Sequence, residues 1–277
     1  MPYSSSGKGC VNAIITGASR GLGRELALGF INKTLLKEAT LSSLTLMARE
    51  PEGLRALKAE LETLNTGTEI FTIAADLSCT AGIDKAMTGL KHRPIVYHVL
   101  INNAGSAKSA SYEKMQDCDI EEQIYVNLIA PMQLTRFFME RFFEGQDAPL
   151  ASLGRVIQIS SISAFMPHAT IIPYAIAKRG LMEFATAIAK TFPAKGFTIN
   201  TIVPGLMATD MGLKAVRQMM PGSDALSKET IAVKMAPYLP EKKITSFDDV
   251  VNLVGFLISK EGGALNGEFF RVASGLL

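Results

Sequence analysis

The opening of this chain commits it to one kind of architecture. Val11-Asn-Ala-Ile-Ile-Thr16 is a short apolar run that reads as a buried strand. It passes without a spacer into Gly17-Ala-Ser-Arg-Gly21-Leu-Gly23, and a helical pattern follows from Glu25 through Leu26, Leu28, Phe30 and Ile31. Strand, glycine turn and helix in immediate succession begin a parallel βα unit whose turn sits at a helix N-terminus. Glycines there let the backbone approach a pyrophosphate, and the unpaired N–H groups of the helix start attract its charge. A tight turn that only packs is the competing reading; the strand before and the helix after favour the ligand.

The alternation continues along the chain. Strands are expected at Leu44–Met47, Glu69–Ala74, His98–Ile101, Val156–Ser160, Thr198–Val203 and Glu268–Val272. Between them, helical patterns run from Pro51 to Leu64, Ala81 to Lys91, Ile120 to Phe143, Tyr174 to Phe192 and Phe247 to Ser259. Strands alternating with helices imply right-handed crossovers and a doubly wound, seven-stranded parallel sheet with helices on both faces, an α/β Rossmann fold. No repeat or linker breaks the pattern, so residues 1–277 are read as one domain, with 1–10 as an N-terminal tail. Residues 207–245 depart from it, with Met207, Met211, Met219, Met220 and Met235 broken by Pro221, Pro237 and Pro240. They are either an adaptable apolar cover or ordinary core helix.

Composition narrows the function classes. A net charge of +2 predicts no strong attraction to nucleic acid or an acidic membrane surface. Cys10, Cys79 and Cys118 are too few and too scattered for a disulfide framework, and neither they nor His92, His98 and His168 have metal-ligand spacing, so no metal site is expected. With a strand beginning near residue 11 and no apolar run near the ~18 residues of a membrane span, a cytoplasmic protein is expected.

The chemistry concentrates at Tyr174 and Lys178, with Ser161 thirteen residues before the tyrosine. On a helix, positions four apart share a face, so phenol and ammonium can approach, and a nearby cation draws a tyrosine pKa down. A tyrosine so tuned can exchange a proton with a substrate oxygen near neutral pH. Tyr238-Leu-Pro-Glu-Lys242 repeats the spacing, but Pro240 interrupts it and Ala225 stands where a serine would be. The glycine turn, Asp76, Asn102, Ser161 and Pro204 all follow strands directly, which puts them on one sheet edge. At the end of the second strand stands Ala48, followed by Arg49, with Arg20 inside the glycine turn. Two guanidiniums there suit a ribose 2′-phosphate, so NADPH is expected over NADH.

These features, in this order, resemble the short-chain dehydrogenase/reductase family: Thr16-Gly17-x-x-x-Gly21-x-Gly23, Asp76-Leu77, Asn102-Asn-Ala-Gly105, Asn127, Ser161, Tyr174-x-x-x-Lys178, Pro204-Gly205-x-x-x-Thr209 and the ending Gly267–Leu276. The resemblance implies that Ser161 bonds the substrate oxygen, that Tyr174 is the acid/base, and that Lys178 also holds the nicotinamide ribose. Asn127 would position a water near the lysine, or else bond locally within its helix. The cofactor would lie along Gly17, Ser19, Arg20, Gly21, Leu22, Gly23, Arg49, Asp76, Leu77, Asn103, Ala104, Gly105, Tyr174, Lys178, Pro204, Gly205 and Thr209. Residues 207–245 would form a substrate lid, and a homo-oligomer, dimer or tetramer, is expected.

Within the family, Leu-Ile-Asn-Asn-Ala-Gly-Ser106 and Val126-Asn-Leu-Ile-Ala-Pro-Met132 look most like the sepiapterin and benzil reductase branch, which reduces vicinal dicarbonyls. Arg271 stands where the resemblance would place a pterin-anchoring aspartate. Ile162, Phe165, Met166, Leu206, Met207 and Met211 would give an apolar substrate pocket, with His168 either lining it or sitting in a surface loop. The expected activity is NADPH-dependent reduction of a ketone or 1,2-dicarbonyl; the alternatives are a 3-oxoacyl-carrier-protein reductase and a non-enzymatic NADPH sensor.

Overall fold

The computed structural model describes residues 10–32, 35–36, 39–144, 154–192, 196–219 and 226–276, without the side chains of 215, 218, 219 and 228. The tail up to residue 9, Met220, Pro221 and Ala225 lie outside the described residues, as does the Met219 side chain. The chain runs β1 (Cys10–Thr16), α1 (Gly21–Ile31), β2 (Thr40–Ala48), α2 (Pro51–Thr63), β3 (Glu69–Ala74), α3 (Thr80–Lys91) and β4 (Val99–Asn102). Then come α4 (Asp117–Ile124), one π-helical turn (Tyr125–Ile129), α5 (Ala130–Glu144), β5 (Gly154–Ile159), α6 (Ile172–Thr191) and β6 (Phe197–Pro204). Helices α7 (Asp210–Met219), α8 (Lys228–Met235) and α9 (Phe247–Ile258) precede β7 (Phe269–Val272).

All pairings are parallel, in the order β3-β2-β1-β4-β5-β6-β7. The doubly wound sheet expected from the alternation is what the chain forms. The order reverses between β1 and β4, which are neighbours in the sheet but far apart in sequence. At such a switch the chains leave in opposite directions and open a crevice beyond the carboxyl ends of the strands.

Successive strand residues face opposite sides, and the core divides accordingly. Ala13, Ile15, Val99, Ile101, Ile157 and Ile159 pack under α1, α2 and α9, against Leu26, Phe30, Leu57, Val250 and Val254. Ile14, Leu100, Val156 and Ile199 face Ile83 and Leu90 of α3, Phe137, Phe138 and Phe142 of α5, and Ala185 of α6. Each such Val, Leu, Ile or Phe side chain contributes roughly 1.5–3 kcal/mol on burial. Local signals set the helix starts: Pro51 opens α2, Pro173 lies in the first turn of α6, and Ser246 with Asp249 makes a capping box on α9.

Two expectations change. The long helix read as Ile120–Phe143 is two α-helices joined by the π turn that contains Asn127. Residues 210–235 do hold helices, and Leu213, Val216 and Ile231 form a small cluster of their own with Leu206, Leu226 and Met235 against it. The stretch therefore adds a separate apolar patch rather than extending the main core.

The loop after β3 is held by α3 at very close range. A Cβ on Gly82 would lie 1.7 Å from the Asp76 carbonyl oxygen. Replacing Gly82 with Ala is expected to destabilise the protein by about 1–3 kcal/mol, read as a lower urea midpoint at unchanged slope. An unchanged midpoint would show that α3 and the Asp76 loop are free to separate.

Candidate active site

The crevice is built first from β1 and β4. Thr16 Oγ1 accepts the backbone N–H groups of Asn103 and Ala104, both at 3.0 Å. Asn103 Nδ2 donates back to the carbonyls of Thr16 (2.9 Å) and Gly17 (3.1 Å). This four-bond lock leaves no volume beside the glycine turn. A Cβ on Gly17 would stand 2.8 Å from Ala104 Cα, and one on Gly23 would stand 2.1 Å from the Gly17 carbonyl oxygen. Gly17 and Gly21 also adopt positive φ, +66° and +54°, where a side chain is strained. No side chain caps α1, whose N-cap is Arg20, so its first backbone N–H groups are left without a side-chain acceptor.

The ends of β1 and β2 adjoin, because Ala18 N donates to the Met47 carbonyl at 3.0 Å. Ala48 is buried, whereas Arg49 and Arg20 are exposed. Arg49 pairs with Glu50 at 3.1 Å and Arg20 with Asp210 at 3.9 Å, both in solvent, where such pairs hold a side chain only weakly. Ser19 packs by the start of α2, within 3.0 Å of where a Cβ of Gly53 would be. Leu22 belongs to the core and anchors the turn from below. Leu77 does the same for its loop, while Asp76 Oδ1 accepts from Ser78 N (3.0 Å) and Ser78 Oγ (2.7 Å). Beyond β6, Gly205 N donates to the Val272 carbonyl, and Thr209 Oγ1 accepts from Gly212 N at the head of α7. Pro204 ends β6 itself.

Ser161, Tyr174 and Lys178 come together at the end of β5 and the first turns of α6. Ser161 is the N-cap of the short 3₁₀ turn Ile162–Ala164; its Oγ accepts from Ser163 N, donates to Ser163 Oγ at 3.3 Å and lies close enough to the Tyr174 phenol to stabilise its charged form. Lys178 Nζ donates to the Ile159 carbonyl at 2.7 Å and lies 5.8 Å from the centre of the Tyr174 ring. Both side chains are buried, 7% and 3% exposed. Ser160 is turned away, donating to the Lys178 carbonyl.

The electrostatics reverse one expectation. The sequence places a cation near Tyr174 and so implies a lowered pKa; in the structure burial pushes the phenol up, and the Ser161 bond offsets only part of it. Burial likewise pulls Lys178 down to about 7. A cation that is itself held near neutrality cannot act on its neighbour as a full charge.

Asn127 is fully buried in the π turn, and its Nδ2 donates to the carbonyls of Ser106 (2.7 Å) and Gln123 (2.8 Å). Its Oδ1 has no partner among the described residues. Gly105 separates it from the lysine: a Cβ there would be 2.8 Å from Asn127 Oδ1 and 3.5 Å from Lys178 Nζ. An unpaired buried acceptor close to Lys178 Nζ is a place for one water or for proton exchange.

The residues named for the substrate are less uniform. Phe165 packs against Phe269, with Arg179 over its ring. Ile162 and Leu206 are half-buried, and Met166 and Met211 are exposed. Met207 is 6% exposed and belongs to the core cluster that includes residues of α1 and α9, so it offers little surface. His168 is exposed and bonded to Thr170. Arg271 faces a separate cavity of about 520 Å³ with Glu241, Lys243 and Asp249, which none of Ser161, Tyr174 and Lys178 lines. Sequence reasoning quoted Thr16 within the glycine motif without giving it a role and missed Gln123, whose only signal was a polar residue at a helix position that the pattern buries.

A short chain dehydrogenase family model matches residues 11–220. The chain belongs to that family. This short-chain dehydrogenase is 30% identical over 284 residues to the short chain dehydrogenase penD of Penicillium thymicola, covering 99% of this chain and 94% of that one. It is 28% identical over 265 residues to the acetoacetyl-CoA reductase of Shinella zoogloeoides, covering 95% and 97%. Its fold matches the L-sorbose reductase of Gluconobacter frateurii, solved with NADPH and L-sorbose, with a TM-score of 0.82 at 24% identity over 99% of each chain. As a member of this family the chain is an oxidoreductase of the nicotinamide-dinucleotide class. Among the described residues no helix is long and apolar enough to cross a membrane, and no three His, Cys, Asp or Glu side chains gather as a metal site.

The depressed Lys178 gives a sign that can be tested. Between about 7 and the ordinary lysine value of ~10.4 the unfolded chain carries a proton that the folded chain lacks. Stability from this group therefore rises with pH across that window, and below it the buried cation opposes folding in full. The melting temperature of the wild type relative to Lys178→Met is expected to climb from pH 7 to pH 10. A constant difference would mean that the lysine is not desolvated. Gly105→Ala is expected to displace the Asn127 side chain and lower turnover by about tenfold or more, measured as kcat; an unchanged kcat would show that the gap at Gly105 has room to spare.

Proposed function

We propose that this short-chain dehydrogenase is an NADPH-dependent carbonyl reductase, and the observation that carries the reading is the buried Ser161–Tyr174–Lys178 group opening beside the glycine cradle. The residues present fit a dinucleotide. The cradle at Gly17 and Gly23 admits no Cβ, α1 begins without a side-chain cap, and Arg20 and Arg49 stand at adjoining strand ends with the buried Ala48 in place of a carboxylate. Two exposed guanidiniums are free to exchange weak carboxylate contacts for a 2′-phosphate. Asp76, Asn103, Gly105, Lys178 and Thr209 would hold the rest of the cofactor.

Bound there, the reduced nicotinamide supplies the hydride. Ser161 Oγ donates to the ketone oxygen and fixes it next to the phenol. Tyr174 gives that oxygen its proton, and its raised pKa keeps the proton in place until negative charge develops there. The phenolate left behind regains a proton from Lys178 in its ammonium form, and a water held by the unpaired acceptor Asn127 Oδ1 returns a proton from solvent to the lysine.

Ile162, Phe165, Leu206 and Met211 favour a moderately hydrophobic ketone or 1,2-diketone, as in benzil- and sepiapterin-type reductases. A second reading, reduction of a 3-oxoacyl thioester, is supported by the nearly full-length likeness to an acetoacetyl-CoA reductase. The proposal includes a single domain, α7 and α8 as a substrate lid, a cytoplasmic location, and a homo-oligomer. Exposed Met132 on α5 and Ile176 on α6 support the last of these.

NADPH oxidation followed by absorbance, with benzil, other 1,2-diketones, sepiapterin and an acetoacetyl thioester, decides the substrate class. Turnover is expected with NADPH and a diketone, and to fall at least about a hundredfold in Tyr174→Phe with cofactor binding kept. Thioester turnover alone would replace the diketone reading. Arg49→Ala is expected to raise the NADPH KM about tenfold or more and leave the NADH KM unmoved; an equal change in both would remove the 2′-phosphate argument.

A further inference from the structure

The orientation of Asn127 is not fixed by its own helix alone. A carboxamide is nearly symmetric in shape, and turning it over exchanges donor for acceptor. Here Nδ2 is held by two carbonyls, which leaves Oδ1 toward Gly105 and Lys178. The Gln123 carbonyl belongs to α4 and is rigid. The Ser106 carbonyl belongs to residues 103–111, which form neither helix nor strand. Something else must hold it.

Lys108 does. Its backbone N–H donates to Gln123 Oε1 at 3.0 Å, and its Nζ bonds Asp119 at 2.7 Å and also Glu122. Ser106 Oγ donates to the same Glu122 at 3.3 Å, and Gln123 Nε2 donates to the Asp119 carbonyl at 2.9 Å. Gln123 is fully buried, and the two carboxylates are only 28% and 20% exposed. Lys108 itself is 41% exposed, but its two carboxylates are more sheltered than those of a fully solvated pair such as Arg55–Glu52 at 68% and 71%, where screening leaves little energy. The network closes on itself: α4 holds Lys108, Lys108 holds the segment, and the segment's carbonyl holds Asn127.

We propose that Lys108, acting with Gln123, is a positioning residue of the active site: it pins the Ser106 carbonyl and thereby keeps Asn127 Oδ1 directed at Lys178. The kinetic consequence rests on the carbonyl-reductase reading; the structural consequence does not.

The test uses Lys108→Met and Lys108→Arg in the full chain. By NMR, the side-chain NH₂ protons of Asn127 are expected to exchange about tenfold faster in Lys108→Met and at the wild-type rate in Lys108→Arg, whose guanidinium can span both carboxylates. With a turned-over ketone, Lys108→Met is expected to lower kcat about tenfold or more and to raise the solvent isotope effect on kcat, the KM values staying within about twofold. In an Asn127→Ala background the same substitution should bring no further loss, since both act through one contact. Unchanged exchange in Lys108→Met, equal acceleration in Lys108→Arg, or the same fold loss with and without Asn127 would overturn the proposal. If no carbonyl compound is reduced, the exchange measurement still decides it, so failure of the enzymatic reading is told apart from failure of this one.

Discussion

Everything at the carboxyl edge of the sheet depends on Thr16 and Asn103 exchanging hydrogen bonds across the switch between β1 and β4. The strands diverge there, and without the lock each loop would satisfy its backbone separately in water. With it, the glycine turn and the Asn103–Gly105 segment become one surface. Gly105 is then delivered to the gap between Asn127 and Lys178, and those residues reach the gap from the π turn and from α6. The site is thus assembled from three elements referred to one set of bonds.

The chemistry it holds follows from removal of water more than from charge. Tyr174 and Lys178 are both buried, and desolvation pushes the acid up and the base down, so the pair favours neutral partners. In the proposed reduction such a pair would resist ionising until substrate charge appears and then move a proton. In the same proposal Ser161 and the Ile159 carbonyl would supply fixed dipoles that need no rearrangement during the reaction.

Strand and helix types, the parallel doubly wound sheet and the Ser161–Tyr174–Lys178 grouping were legible because they rest on periodicity and short spacing. The start of β2 was not: it extends back to Thr40 because Ser43 and Thr45 are buried in the strand, bonded to Asn12 and Arg93, and polar residues hide a strand from an apolar pattern. The pKa of Tyr174 was misread because sequence gives the neighbour's charge but not the depth at which both lie. The Lys108–Gln123 network joins residues fifteen apart through an irregular segment, which no period marks. Met207 looked like pocket lining for the same reason: composition cannot say which side of a loop faces the core.

The π turn at Tyr125–Ile129 has a consequence for how this chain can vary. Each residue advances a helix by about 100°, so a turn one residue too long resets the angular phase between α4 and α5. The upstream half directs Gln123 and the Lys108 carboxylates inward, and the downstream half directs Phe137, Phe138 and Phe142 to the core. Because the extra residue absorbs the mismatch, the two faces answer to different neighbours. Loss of a single residue there would leave one of them rotated away, so the segment's length is constrained more tightly than its composition.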